Sequence, residues 1–216
     1  MWVGEWIYRL SAIVGEGDDT LMRSQVVLDL GCGSHKVSGA LGLDLVPGAD
    51  ADIVSRVDIL PIGDGVVDVV YASHILEHIP GLVGTMEEIW RVCKAGSRVH
   101  VWSPHFSCGL YIWSDPTHVR GMSTCMFDYF DPGSPFAAAS KAKFQVMRRE
   151  LHFGFRRDVV TVVPMSYRTA LIKRCIASIV EPVANANRFS QLLCERCWAQ
   201  LVGFEEVYFE LCVIKS

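Results

Sequence analysis

The chain has 216 residues, of which 50% are hydrophobic and 20% charged, and its formal net charge is −4. This length suits one domain with a sizeable core, and the apolar content excludes an intrinsically disordered chain. The slightly acidic balance argues against a nucleic-acid partner, which would require a basic surface. Because no uninterrupted apolar run reaches about 18 residues, no membrane span and no membrane partner are expected.

Eight cysteines are scattered along the chain. The only C-x-x-C pair, Cys194 and Cys197, lies in a helical pattern and has no second pair at zinc-finger spacing. The N-terminus lacks the basic start and apolar core of a secretory signal. We therefore expect reduced thiols in a cytoplasmic protein, either a monomer or a homodimer.

The stretch around two closely spaced glycines organises the first half of the chain. The apolar run Val26–Leu28 is typical of a buried parallel strand, and the glycines within Asp29–Gly33 allow a sharp turn with bare backbone. A second strand, Ala40–Leu43, ends in Asp44, whose carboxylate can accept hydrogen bonds from both hydroxyls of a ribose. Only the seven residues Ser34–Ala40, the last of which already begins this strand, follow the turn, so the crossover must be a loop or a single helical turn.

The remaining elements follow from hydrophobic periodicity. A short amphipathic helix is predicted within 1–24. Further strands are predicted at Ala51–Val54, Val66–Tyr71, Arg98–Trp102, Phe144–Phe153 and Glu206–Ile214. Helices are predicted over Thr85–Cys93, over Tyr167–Val180 with Pro182 as its end, and over Asn187–Leu201. This alternation of strands and helices predicts an α/β fold.

Several motifs in this order resemble the S-adenosyl-L-methionine (SAM) site of class I methyltransferases. They are LDLGCG followed by GLD, then Asp58–Val70 with its Leu-Pro and Asp residues, then Ser73–Ile79, SHILEHI. The resemblance covers roughly residues 25–104. It implies a Rossmann-like sheet of seven mostly parallel strands, with helices on both faces and the last strand inserted antiparallel beside the fifth.

The resemblance also implies one domain over 1–216 and SAM as the cofactor. We divide the domain into an N-terminal helix or cap (1–24), a SAM-binding core (25–104), an acceptor or lid insert (105–143) and a C-terminal sheet with helices (144–216). Asp58 would bind the adenine amino group and Ile59 would offer a backbone amide, while the thiol of Cys32 would mainly pack. The predicted cofactor-binding residues are Asp29, Gly31, Cys32, Gly33, Asp44, Leu45, Asp58, Ile59, Ser73 and His74.

Residues 105–143 mix aromatic side chains with His, Asp and Arg and lack steady periodicity. A segment that leaves the carboxyl end of the fifth strand should lie over the methyl donor, so we interpret it as acceptor pocket and lid. His105 and His118 are the candidate general bases, and Asp115 is placed to orient one of them. Tyr129 and Tyr111 are candidates for positioning the acceptor.

Other interpretations of the same residues stay open. His105, Asp115 and His118 form a possible divalent-metal set, although we expect no bound metal. A dinucleotide oxidoreductase is disfavoured because Lys36 stands where the third glycine of the pyrophosphate fingerprint would fall. The main prediction is a SAM-dependent methyltransferase that O-methylates a small molecule, such as a sugar or natural product. The alternatives are N-methylation of a small amine and a SAM-binding module without turnover.

Overall fold

The computed structural model describes residues 25–47, 50–137, 140–153, 167–199 and 203–215. The helix predicted within 1–24 lies outside the described residues. Within them the chain forms a seven-stranded sheet with the order β3-β2-β1-β4-β5-β7-β6. The strands are β1 (Val27–Leu30), β2 (Leu41–Asp44), β3 (Ile53–Val54), β4 (Val67–Ser73), β5 (Cys93–Pro104), β6 (Lys143–His152) and β7 (Glu206–Ile214).

Strands β1 to β5 pair in parallel, and β7 lies antiparallel between β5 and β6. This arrangement confirms the predicted fold class, including the inserted antiparallel last strand. At the end of β1, Leu30 lies opposite Leu43 of β2 and Ala72 of β4. The carboxyl ends of these three strands therefore meet at one edge, where ligands bind in open α/β sheets.

Four α-helices are described: α1 (Leu82–Val92), α2 (Gly109–Ser114), α3 (Tyr167–Ala184) and α4 (Arg188–Leu193). Two 3₁₀ turns, Leu76–His78 and Met126–Tyr129, and a π-helical turn, Cys194–Trp198, complete the regular elements. Helix α1 buries Met86 and Ile89 completely, as its predicted apolar face requires. No described helix combines the length and the hydropathy needed to cross a membrane.

Two helix boundaries differ from prediction. Helix α3 continues through Pro182 to Ala184, so the prediction that this proline ends the helix is wrong. Proline removes one donor, but the next turn continues because the Asn185 amide donates to the Glu181 carbonyl at 2.9 Å. Helix α4 begins after Asn187, whose side chain accepts the Ser190 amide at 2.9 Å, and gives way to the π-helical turn.

The crossover between β1 and β2 is a loop, as its length requires. The carboxylate of Asp29, only 2% exposed, accepts the Val37 amide at 2.8 Å and so fixes this loop against the end of β1. Around β7, aromatic rings fill the core. Phe127 and Phe209, both fully buried, meet edge to face with centroids 4.7 Å apart.

Candidate active site

The glycine turn after β1 combines a packed residue and an open one. Gly31 has φ +64°, and a Cβ there would lie 2.8 Å from the side chain of Ile75. Gly33 has φ +52°, and a Cβ there would meet nothing within 4 Å. Because these φ values favour glycine, the turn depends on both residues. Gly31 lets the turn approach the segment after β4, and Gly33 leaves space for a ligand against the backbone.

Asp44 lies at the end of β2, beside this turn. Its carboxylate accepts the amide of Gly33 at 2.9 Å and the amide of Val46 at 2.9 Å. Each carboxylate oxygen has more than one acceptor position. Asp44 can therefore hold the glycine turn and still accept hydroxyl donors from a ligand.

The ends of β2 and β3 present exposed apolar side chains around two carboxylates. Leu45 is 63% exposed and Ile59 is 66% exposed, and the backbone between them is tied by Ser55, whose amide donates to the carbonyl of Asp44. Asp58 receives two hydrogen bonds from the Arg56 guanidinium, at 2.8 and 2.6 Å, which lower the pKa of this carboxyl. Asp58, predicted to bind the adenine amino group, therefore already has a strong hydrogen-bond donor in Arg56.

His74 follows β4 in an unusual backbone conformation, φ +53°. Its Nε2 lies 2.9 Å from Oε1 of Glu206, a fully buried carboxylate on β7 that also contacts Nδ1 of His152 at 3.3 Å. Burial disfavours charge on His74, but the hydrogen bonds to Glu206 and Glu77 outweigh it and raise the pKa of His74 to about 9. The ring of His74 therefore joins β4 to β7. Ser73, beside it, is the last residue of β4.

The insert 105–143 is fixed to the turn that follows β4. The Val119 amide donates to the carbonyl of Glu77 at 2.9 Å. The Arg120 guanidinium donates to the carbonyls of Ile79 and Pro80 at 2.6 and 2.7 Å. Since Ile75, just upstream, contacts Gly31, the insert and the glycine turn belong to one continuous edge. The interpretation of the insert as an acceptor segment stays a prediction.

His118 and His78 lie together on this edge, with ring centroids 4.5 Å apart. Nδ1 of His118 lies 3.1 Å from the Ile112 carbonyl, which can only accept, so Nδ1 carries the proton and Nε2 carries the lone pair. The Thr117 hydroxyl is 2.6 Å from Asp115, and its hydrogen bonds lower the pKa of that carboxyl. Asp115 therefore contacts the pair of histidines through Thr117, whose hydroxyl lies 2.9 Å from Nδ1 of His78. The carboxylate of Asp115 lies 4.0 Å from Nε2 of His118.

His105, the other predicted base, has partners at both ring nitrogens. It is fully buried, with Nε2 2.9 Å from Glu195 and Nδ1 2.7 Å from the Ser107 hydroxyl. Glu195 also accepts the amide and hydroxyl of Thr124 at 2.6 and 2.7 Å. The contacts of Glu195 with His105 and Thr124 thus fasten the π-helical turn to the insert. Tyr111 is also buried, with 9% of its surface exposed.

Two cavities lie outside the glycine turn. The larger, about 550 Å³, lies between β6 and the start of α4, and Asp128 on its wall pairs with Arg149 and Arg188. The smaller, about 300 Å³, is mainly apolar and adjoins the start of α1. Residues of the insert line both cavities. The lining of the smaller cavity includes the predicted residue Tyr129 together with Leu82, Val83, Ser123, Cys125, Met126 and Phe130.

Sequence reasoning missed the contribution of Glu77. It is fully buried, accepts the Ser103 hydroxyl at 3.0 Å, and lies with His78 and His118 in a group whose ligand-capable atoms are all within 4.8 Å of one another. The signal was present, because Glu77 and His78 are adjacent in the SHILEHI segment. Their meeting with His118 depends on a fold contact across about forty residues, which no local pattern contains.

Comparison with known proteins agrees with this geometry. Residues 28–101 match the model of a family described as "Methyltransferase domain". This match covers the glycine turn, Asp44, Asp58 and the turn after β4, but stops before the insert. No curated protein sequence matches the chain significantly.

Solved structures match over nearly the whole chain at low identity. A SAM-dependent methyltransferase from Archaeoglobus fulgidus is 16% identical, covers 95% of this chain and 92% of its own, and has a TM-score of 0.56. A putative sarcosine dimethylglycine methyltransferase from Galdieria sulphuraria is 18% identical, with coverage of 96% and 83% and a TM-score of 0.55. The third structure is a complex between the Haloferax volcanii Trm112 methyltransferase activator and a putative methyltransferase. It is 16% identical, covers 98% of this chain and 90% of its own, and has a TM-score of 0.56. These similarities show a shared fold.

Proposed function

We propose that this chain is a class I SAM-dependent methyltransferase and that it transfers the methyl group of SAM to a hydroxyl oxygen of a small molecule such as a sugar or a natural product. One observation carries the proposal. The insert bearing His118 is fastened to the turn after β4, and Ile75 of that turn contacts Gly31. A donor held on the glycine turn and an acceptor held by the insert would therefore meet at the same edge.

The residues on the cofactor side would bind SAM and take no part in the making or breaking of covalent bonds. The open backbone at Gly33 accommodates the amino-acid end of SAM, and the carboxylate of Asp44 accepts the ribose hydroxyls. The exposed side chains of Leu45 and Ile59 cover the adenine faces. SAM supplies an activated methyl group on sulfur, so alignment with the acceptor is the main task of the protein.

A hydroxyl acceptor must also lose its proton. His118 is suited to this role because the Ile112 carbonyl selects, for the neutral ring, the tautomer with the lone pair on Nε2. The acceptor oxygen forms a bond to the methyl carbon as the carbon–sulfur bond breaks, and the hydroxyl proton passes to Nε2. The products are the methyl ether and S-adenosylhomocysteine. The apolar cavity beside Tyr129 would hold the body of the acceptor.

The test is turnover with matched acceptors. S-adenosylhomocysteine formation should be measured with panels of hydroxylated compounds and of amines of similar size. We expect turnover with hydroxyl compounds, and we expect His118→Ala to reduce kcat on the order of 10²- to 10⁴-fold while SAM affinity stays unchanged. Activity in His118→Ala equal to the unaltered protein would reject this residue as the base.

N-methylation of a small amine is the second candidate, since the Galdieria structure bears the name of an amine methyltransferase. Turnover restricted to the amine panel would replace the main proposal by this one. SAM binding without S-adenosylhomocysteine formation, with every acceptor tried, would favour a binding module without turnover. Any partner protein of the kind named in the Haloferax complex would be revealed by comparing the purified chain with the chain in lysate.

A further inference from the structure

We propose that Glu77, His78 and His118 form a binding site for a first-row divalent transition-metal ion, such as zinc or cobalt. Among the described residues, these three offer ligand-capable atoms that all lie within 4.8 Å of one another. Ligand atoms around such an ion stand roughly 3–3.5 Å apart, given metal–ligand bonds of about 2.0–2.2 Å. A modest side-chain rotation therefore closes the set around an ion.

The carboxylate of Glu77 gives the first independent support. Its side chain is fully buried, and Oε2 accepts the Ser103 hydroxyl at 3.0 Å. Its other oxygen, Oε1, faces Nδ1 of His74 at 3.4 Å, the contact that helps to raise the pKa of His74. A carboxylate that is removed from water is costly, and coordination of a cation would add to the compensation that Ser103 and His74 provide.

The two histidines are oriented as metal ligands are. A ligating imidazole commonly donates its second N–H to a carbonyl or to a carboxylate, which leaves the lone pair for the metal. His118 has the Ile112 carbonyl at 3.1 Å from Nδ1. His78 has the Thr117 hydroxyl at 2.9 Å from Nδ1.

The direction of the second hydrogen bond follows from Asp115. This carboxylate is ionised at neutral pH and can only accept, so Thr117 donates its hydroxyl hydrogen to Asp115 at 2.6 Å. The oxygen of Thr117 must then accept from Nδ1 of His78. Both histidines thus carry their lone pair on Nε2, and each has a fixed orienting partner.

The donor types indicate which ions would bind. Two imidazoles and one carboxylate suit zinc, cobalt, iron or nickel, and leave at least one coordination position open. Magnesium and calcium prefer a shell rich in carboxylate and carbonyl oxygens. The set differs from the trio weighed on sequence alone, because His105 is engaged by Ser107 and Glu195.

The consequence of a bound ion rests on the proposed function. The open position would take the acceptor hydroxyl, and coordination would lower the pKa of that hydroxyl. With an ion bound, the ion would promote deprotonation of the acceptor hydroxyl, and Nε2 of His118 would be its ligand and not the general base. Metal binding itself requires neither SAM nor an acceptor, so it can be tested even if O-methylation fails.

The experiment titrates cobalt into the full-length chain after chelator treatment, with calorimetry and visible absorption as readouts. Cobalt is chosen because the chain has eight cysteines, and a thiolate site gives a charge-transfer band that a nitrogen–oxygen site lacks. The variants are His118→Ala, His78→Ala and Thr117→Val, with His35→Ala as a matched control in an exposed histidine outside the cluster. Thermal unfolding without metal identifies any variant that fails to fold.

We expect one cobalt per chain, with an absorption spectrum that lacks the thiolate band. Loss of either ligand histidine should weaken binding by at least about 100-fold, and Thr117→Val by about 10- to 100-fold, since it removes only the orienting partner. His35→Ala should bind like the unaltered chain. Absence of cobalt binding, a dominant thiolate band, or equal affinity in His35→Ala and His118→Ala would each overturn the proposal. Thr117→Val keeps the test decisive if a histidine variant unfolds.

Discussion

The two halves of the molecule differ in how their functional residues are brought together. In residues 25–104, parallel strands follow one another and place the glycine turn, Asp44 and the turn after β4 at one edge. In residues 105–215, the important contacts span long stretches of chain. Glu195 reaches back to His105 and Thr124, and Glu206 reaches back to His74.

This difference explains why the family match ends at residue 101. Cofactor binding uses backbone shape and a few side chains at fixed spacing, so it leaves a motif in the sequence. The acceptor side uses side-chain contacts between distant elements, which leave no fixed spacing. The comparison therefore predicts that substitutions in the two halves affect different quantities.

The largest expected effect is a loss of folding stability, caused by a substitution in the second half of the molecule, residues 105–215. Phe209→Ala should lower the free energy of unfolding by about 3–5 kcal/mol, because it removes a fully buried ring that packs on Phe127. Chemical denaturation measures this. Phe189→Ala is the matched control, since Phe189 is 73% exposed and its loss should stay within about 0.5 kcal/mol. Equal effects of the two would contradict the placement of the core around β7.

Folding stability should depend on pH through the contact between His74 and Glu206, which joins the two halves. The pKa of His74 is raised to about 9, so the stability it contributes is fully present below about pH 6.5 and is lost as the pH rises through 9. We expect unfolding free energy to fall by about 2–3 kcal/mol over that range. His74→Gln should flatten the profile and His35→Gln should leave it unchanged. A profile that is the same in all three proteins would contradict the link between β4 and β7.

The smallest expected effect is confined to the cofactor half. Asp44→Ala should weaken SAM binding by roughly 1.5–3 kcal/mol, as expected for lost hydrogen bonds to a charged acceptor. Calorimetry with SAM measures this, and Asp50→Ala, in the loop after β2, is the control. An unchanged dissociation constant for Asp44→Ala would reject Asp44 as the ribose ligand. A large loss of thermal stability in Asp44→Ala would mean that the main role of Asp44 is to hold the glycine turn through its hydrogen bond from the Gly33 amide.

The sequence alone determined the α/β class and the glycine turn beside Asp44, since hydrophobic periodicity indicates strands and helices and positive φ favours glycine. The seven-stranded sheet with its antiparallel last strand was implied by the resemblance of the motifs to class I methyltransferases. The bounds of β7 were predicted as observed, Glu206–Ile214. Helix ends were less well determined, because continuation through Pro182 depends on hydrogen bonds in the following turn.

Only the tertiary structure decided the surroundings of the histidines. By sequence, His105 and His118 were equal candidates, since both lie in the predicted pocket segment. The fold buries His105 against Glu195 and brings His118 beside His78 and Glu77. The reason is that burial and hydrogen-bond partners are set by contacts between residues far apart in the chain, whereas local sequence sets only backbone conformation.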